Sequence, residues 1–132
     1  GSSELRVTHK PASSIWPRLW SARSLNTHSL RLDRGHTVSG MWLSAILHDP
    51  KSGRTMEVWS NQPGIQFYTG NFLDGIPGKN GAVYQKNGAL CLETQAFPDS
   101  INKQGKPGWP DVVLRPGKTY SHRMVHAFTA KQ

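Results

Sequence analysis

From residue 41 onward, each apolar stretch of this chain is of strand length and is set off from the next by glycine, proline or an Asn-Gly pair. The 132 residues include 13 Gly and 9 Pro. Proline pre-sets φ for a turn and glycine opens the left-handed region, so this density favours short strands joined by turns over long helices. No long amphipathic helix and no internal repeat interrupts the pattern. The expected class is all-β, an antiparallel β-sandwich.

Residues 41–48 (MWLSAILH) form the first such stretch, and 49–53 (DPKSG) the turn after it. Residues 55–59 then alternate, which completes a hairpin. A break at Pro63-Gly64 leads into 65–69 (IQFYT), rich in β-branched and aromatic residues and read as a strand. Residues 71–81 are a loop. Asn80-Gly81 and Asn87-Gly88 bracket a short strand over 82–85, and the second pair releases a strand over 89–95 (ALCLETQ). Residues 98–110 are a second loop, Val112-Val113-Leu114 a short strand, 115–118 a turn, and 119–129 the last strand.

Before residue 41 the periodicity is poor at either 2 or 3.6. Six Lys/Arg face only Glu4 and Asp33 there. The expectation is an irregular N-terminal arm over 1–40, with Gly1-Ser2-Ser3 a cloning remnant, and a β domain over 41–132. Within the arm, Leu30-Arg31-Leu32-Asp33 is the best strand.

Composition narrows the function. No apolar run approaches the ~18 residues of a membrane span, and no secretory N-terminus is present, so a soluble chain without membrane association is expected. Cys91 is the single cysteine, which excludes an internal disulfide and fits a reducing compartment, the cytoplasm. The net charge of +8 comes from scattered residues, with no basic run, zinc-finger spacing or RNP-type aromatic motif. A solvated basic surface is therefore expected rather than a nucleic-acid site.

Glu93 is the most informative single residue. Strand alternation puts Leu90, Leu92 and Thr94 on one face, and Ala89, Cys91, Glu93 and Gln95 on the other. Small neighbours leave room beside the carboxylate, as a base needs if substrate is to reach it. Pattern alone leaves two readings open, a solvent-facing glutamate or a catalytic one.

Four segments bear on that choice. Residues 61–71 (NQPGIQFYTGN), 78–84 (GKNGAVY), 92–100 (LETQAFPDS) and 114–120 (LRPGKTY) follow one another in the order QPG-x-QFYT-x-N, GKNGAVY, LETQ-x-[FW]-PD, LRPG-x-x-Y. In this they resemble the C-terminal part of the aldose 1-epimerase (galactose mutarotase) family. Counting the preceding hairpin, the resemblance covers residues 41–130. It implies a sandwich like the C-terminal half of that family's fold, and interconversion of the anomers of a free aldohexose of the galactose or glucose class. On that resemblance Glu93 matches the catalytic base and Gln66 a substrate-contacting glutamine. No cofactor and no metal are implied, since an acid and a base acting in concert suffice.

The departures are specific. The family's acid histidine, and the arginine and second histidine that hold the sugar, lie N-terminal to the matched motifs. The family's G-[FY]-D-H segment has its nearest equivalent in Leu25-Asn26-Thr27-His28-Ser29, with a histidine but no aspartate before it. Two readings follow: a truncated or divergent aldose 1-epimerase-like protein, or a non-catalytic carbohydrate-binding or protein-interaction module derived from that fold. Half of a large sandwich also exposes edges and an apolar face, so a homo-oligomer or a partner chain covering that sheet is expected.

Other constellations are weaker. His122 and His126 stand at i and i+4, a helical metal spacing, but they fall in a segment read as a strand, too far apart to share an ion. Cys91 has no evident base. Trp42 and Trp59, on the hairpin, fit packing better than sugar stacking. Gly75 to Gly81 lacks the order of a phosphate loop.

Overall fold

A two-sheet packing is built from the strand-length segments. The computed structural model describes residues 4–7, 20–21, 27–31 and 37–130, the strands before residue 32 by backbone and register. In chain order the strands are β1 (Glu4–Val7), β2 (Trp20–Ser21), β3 (Thr27–Arg31), β4 (Thr37–Val38), β5 (Met41–Asp49), β6 (Arg54–Ser60), β7 (Gly64–Tyr68), β8 (Ile76–Pro77), β9 (Val83–Tyr84), β10 (Cys91–Gln95) and β11 (Met124–Ala130). One sheet runs β11-β6-β5-β1-β2, with β4 also paired to β5. The second runs β10-β7-β3, and β8-β9 form a small hairpin. Every pairing is antiparallel.

The β5-β6 hairpin follows from its turn chemistry. Gly53 takes φ +67 and its N–H donates to the Asp49 carbonyl at 2.9 Å. The Asp49 carboxylate accepts from the Lys51 N–H at 3.1 Å and the Ser52 hydroxyl at 2.6 Å, so the side chain closes the turn from outside. The Ser52 hydroxyl and then the Lys51 amide hold the Asp49 carboxyl below its ordinary value. Further along β5 the register shifts between Leu43 and Ala45, leaving Ser44 as a bulge. Ser44 is buried, and its hydroxyl is satisfied by the Trp42 carbonyl at 3.3 Å.

The core lies between the sheets. Ala45 and Val58 from the larger sheet meet Ile65 and Phe67 from the smaller, with Leu47, Met56, Leu90 and Leu92 packed around them. Each large apolar side chain so buried contributes about 1.5–3 kcal/mol. One face of the β10-β7-β3 sheet is thereby committed to the core, and the other is left to carry polar groups.

Three sequence-based strands change on inspection. Val112-Val113-Leu114 forms no strand and joins no ladder among the described residues. The Asp111 carboxylate accepts the Val113 N–H at 3.0 Å and an Arg115 N–H at 2.6 Å, so a local turn takes the amide a ladder would need. The last strand begins at Met124 rather than at residue 119. Before it, Asn61 replaces a partner strand: its side chain donates to the Ser121 carbonyl at 3.1 Å and accepts the Arg123 N–H at 3.0 Å. The strand read at residues 30–33 begins earlier, at Thr27, and includes Leu30 and Arg31. Leu32 and Asp33 lie outside the described residues. β1 and β2 had no local signature.

Candidate functional site

β10 and β7 place the two sequence-selected residues side by side. Glu93 and Gln66 are register partners in the antiparallel ladder. Directly opposed residues share a face, with Cβ atoms about 4.5–5.5 Å apart. Gln66 has a second register partner, Ser29 of β3, so one row crosses all three strands. His28 falls one position away, in the row of Phe67 and Leu92.

Burial follows the alternation read from ALCLETQ. Thr94 is 6% exposed and turned to the core, while Cys91 and Glu93 are exposed and Leu92 is half-buried. On β7, Ile65 and Phe67 are buried, and Gln66 and Tyr68 are half-buried on the opposite face. Glu93 thus stands on an accessible face beside an amide, with Cys91 and Tyr68 in the next row. A carboxylate there can accept a proton, and a carboxamide can both donate and accept hydrogen bonds. Tyr68 escaped the sequence reading, although the same i+2 parity from Gln66 carries it.

The described histidine side chains are engaged elsewhere. His48 Nδ1 is 2.9 Å from the Thr55 hydroxyl. His122 Nε2 is 3.0 Å from Thr94 Oγ1 and 3.5 Å from Ser60 Oγ. Since Thr94 points to the core and Glu93 away from it, His122 approaches β10 from the far side of the sheet. His126 lies against Phe128, ring centroids 6.5 Å apart. Among the described residues no group of three or more His, Cys, Asp or Glu is placed to hold a metal ion.

The loop after β10 is ordered by its own contacts. The Ser100 hydroxyl donates to the Phe97 carbonyl at 2.5 Å, and Gln104 Nε2 to the Ser100 carbonyl at 2.9 Å. Phe97 and Trp109 meet edge to face at 5.7 Å. Asn102 first, then Lys103, hold the Asp99 carboxyl below its ordinary value. These bonds fix the chain as it leaves Gln95.

A separate open cleft of about 520 Å³ lies on the larger sheet, lined by Leu47, Met56 and Phe128 with Asp49 and Arg54 at its rim. Leu47, Met56 and Phe128 form one register row. No described helix is long and apolar enough to cross a membrane.

Comparison with known proteins matches residues 13–127 to the family model described as aldose 1-epimerase. Over 86 residues the chain is 57% identical to the galactose mutarotase of Homo sapiens, covering 64% of this chain and 24% of that protein. It is 61% identical over 79 residues to the galactose mutarotase of Mus musculus, covering 59% and 22%. With the aldose 1-epimerase of Escherichia coli (strain K12) it shares 40% identity over 78 residues, covering 58% and 22%. The matched segment therefore spans less than a quarter of the length of these curated relatives.

Proposed function

Because the chain belongs to the aldose 1-epimerase family, we propose that it recognises a free aldohexose of the galactose or glucose class on the Glu93 face of β10 and β7, with Glu93 as general base. The observation that carries this reading is the register pairing of Glu93 with Gln66 on one accessible face. In the proposed reaction Glu93 takes the proton of the C1 hydroxyl as the bond from C1 to the ring oxygen breaks and an acid protonates that oxygen. Rotation about C1–C2 presents the other face of the aldehyde. On reclosure the C5 oxygen attacks C1 and gives its proton back to the conjugate base of that acid, while Glu93 returns its proton to the new C1 hydroxyl, so the steps balance without cofactor or metal. Gln66 holds a sugar hydroxyl beside the reacting carbon.

A second reading, a carbohydrate-binding or interaction module without catalysis, is favoured by one observation. His122, which comes to β10, bonds Thr94 on the face away from Glu93. With water as the acid at the ring oxygen, the rate falls by about 10²–10⁴ relative to a positioned general acid. Mutarotation of α-galactose, followed by polarimetry, separates the two. Acceleration over buffer that disappears in Glu93→Gln supports the catalytic reading. Equal rates for wild type, variant and buffer eliminate it.

We assign Glu93 and Gln66 to a β domain over 41–132, with residues 1–40 an arm whose strands β1 and β3 pair with β5 and β7. A second copy or a partner chain covers the apolar surface of β11, where Phe128 is 73% exposed and Met124 and Val125 are also exposed. Sedimentation showing only monomer at high concentration would count against that cover. The cytoplasm, where the exposed Cys91 thiol stays reduced, is the compartment we assign.

A further inference from the structure

Beyond the Glu93 row, the same face ends in two aromatic rings. Tyr68 follows Gln66 at i+2 and shares its face, with Cys91 as register partner. Phe72 lies in the turn by which the chain leaves β7. The two rings are offset-stacked, centroids 6.5 Å and planes 20° apart. The Phe72 backbone N–H donates to the Tyr68 hydroxyl oxygen at 3.2 Å, so the tyrosine ring supports the phenylalanine through its backbone as well as its side chain.

Phe72 is nevertheless 81% exposed. Its position is well specified. The Leu73 and Asn87 N–H groups both donate to the Gly70 carbonyl at 3.1 Å. Asn87 Nδ2 donates to the Thr69 carbonyl at 2.9 Å, and the Thr69 hydroxyl to Asn71 Oδ1 at 2.5 Å. Leu73 packs against Gly70, whose φ of +69 makes the reversal. A ring of this size is normally stabilised by burial, yet the frame holds this one outward.

Position suggests what it meets. The Tyr68 row is about 7 Å along the strand from the Glu93 row. The Phe72 ring is a further 6.5 Å from the Tyr68 ring. A disaccharide whose first ring sits at Glu93 would carry its second ring over a distance of that order. Two rings flanked by Asn71 and Asp74 offer far less area than the ~800 Å² per partner of a protein interface. They suit the apolar face of a pyranose, whose axial C–H groups complement the negative face of an aromatic ring.

We propose that Tyr68 and Phe72 form an outer aromatic subsite that takes the second pyranose ring of a reducing disaccharide whose first ring lies at Glu93 and Gln66. The subsite rests on the aldose reading of that row. Its test is calorimetric titration of the full chain with glucose and with cellobiose, the β-1,4-linked reducing dimer of glucose. Wild type is expected to bind cellobiose about three- to tenfold more tightly than glucose. Phe72→Ala reduces that ratio toward one. Tyr68→Phe, which keeps the ring but loses the hydroxyl that fixes the Phe72 backbone, reduces it partway. A wild-type ratio of one, or a ratio that Phe72→Ala leaves intact, overturns the subsite while glucose binding upholds the aldose site. Binding of neither sugar to wild type overturns the aldose reading and the subsite with it.

Discussion

The His122 imidazole lies 3.0 Å from the Thr94 hydroxyl, on the face of β10 turned away from Glu93. Thr94 Oγ1 also donates to Met124 Sδ at 3.3 Å, and Ser60 Oγ lies 3.5 Å from the same His122 nitrogen. A small polar cluster thus ties β10, β6 and the approach to β11 beneath the candidate site. His122→Ala removes the nitrogen partner of a nearly buried hydroxyl, a change that costs about 1–3 kcal/mol. Thr94→Val leaves only the exposed imidazole to be solvated and is expected to cost less, about 0.5–1.5 kcal/mol. Urea unfolding of the two variants checks that order, and a Thr94→Val more damaging than His122→Ala would contradict it.

Gln66 and Glu93 share a row but differ in their proposed work, and kinetics can separate them. Gln66→Ala removes a sugar contact made in both ground and transition states, so KM for galactose should rise about tenfold with kcat little changed. Glu93→Gln removes the proton acceptor and should lower kcat by about 10²–10⁴. A Gln66→Ala effect confined to kcat would instead place that amide at the reacting atoms.

Much of this arrangement was legible from local pattern. The 49–53 turn announced the β5-β6 hairpin, because Asp49, Pro50 and Gly53 each do a job at a defined turn position. The alternation in ALCLETQ placed Glu93 outward and Thr94 inward, as burial shows. What pattern could not supply was pairing between distant segments. β1 joins β5 across a long stretch of chain, and nothing in ELRV alone marks it as a strand. The row shared by Glu93 and Gln66 arises from such a pairing, not from a hairpin. The sequence pattern places His122 and His126 in one continuous strand over 119–129. The Asn61 side chain interrupts that strand, and so the imidazole reaches Thr94. The Val112-Val113-Leu114 reading failed for a related reason, a side chain competing with the ladder for an amide.

That competing side chain makes a pH prediction. The Asp111 carboxyl is held below its ordinary value of 3.8, first by the Val113 N–H and then by Arg115. A carboxylate with a depressed folded-state pKa contributes its stabilisation above the ordinary value, and loses it as pH falls through the lower, folded value. The 111–115 turn should therefore stay closed at pH 5 and open only as pH drops well below 3.8. Amide exchange at Val113, corrected for intrinsic rate, should lose protection across that acid range. In Asp111→Ala the protection should be absent at every pH. Protection at Val113 that survives in Asp111→Ala would mean that another acceptor holds the amide.

Gly70 offers the sharpest local test of the frame around Phe72. Its φ of +69 lies in the left-handed region, and a Cβ there would come within 3.0 Å of a Leu73 methyl carbon and 3.2 Å of the Ala89 carbonyl oxygen. The backbone term alone costs roughly 1–2 kcal/mol for an L-residue. Leu73 can rotate aside, but the Ala89 carbonyl belongs to the chain leading into β10 and moves only with it. Gly70→Ala is therefore expected to destabilise by about 1–3 kcal/mol in total. It should also loosen the Asn87 and Leu73 hydrogen bonds that converge on the Gly70 carbonyl. Gly75→Ala is the matched control, since Gly75 also has positive φ, +67, but no heavy atom within 4 Å of the added Cβ. Its cost should be the backbone term alone. If thermal unfolding finds the two alanines equally damaging, the Leu73 and Ala89 contacts add nothing to the turn.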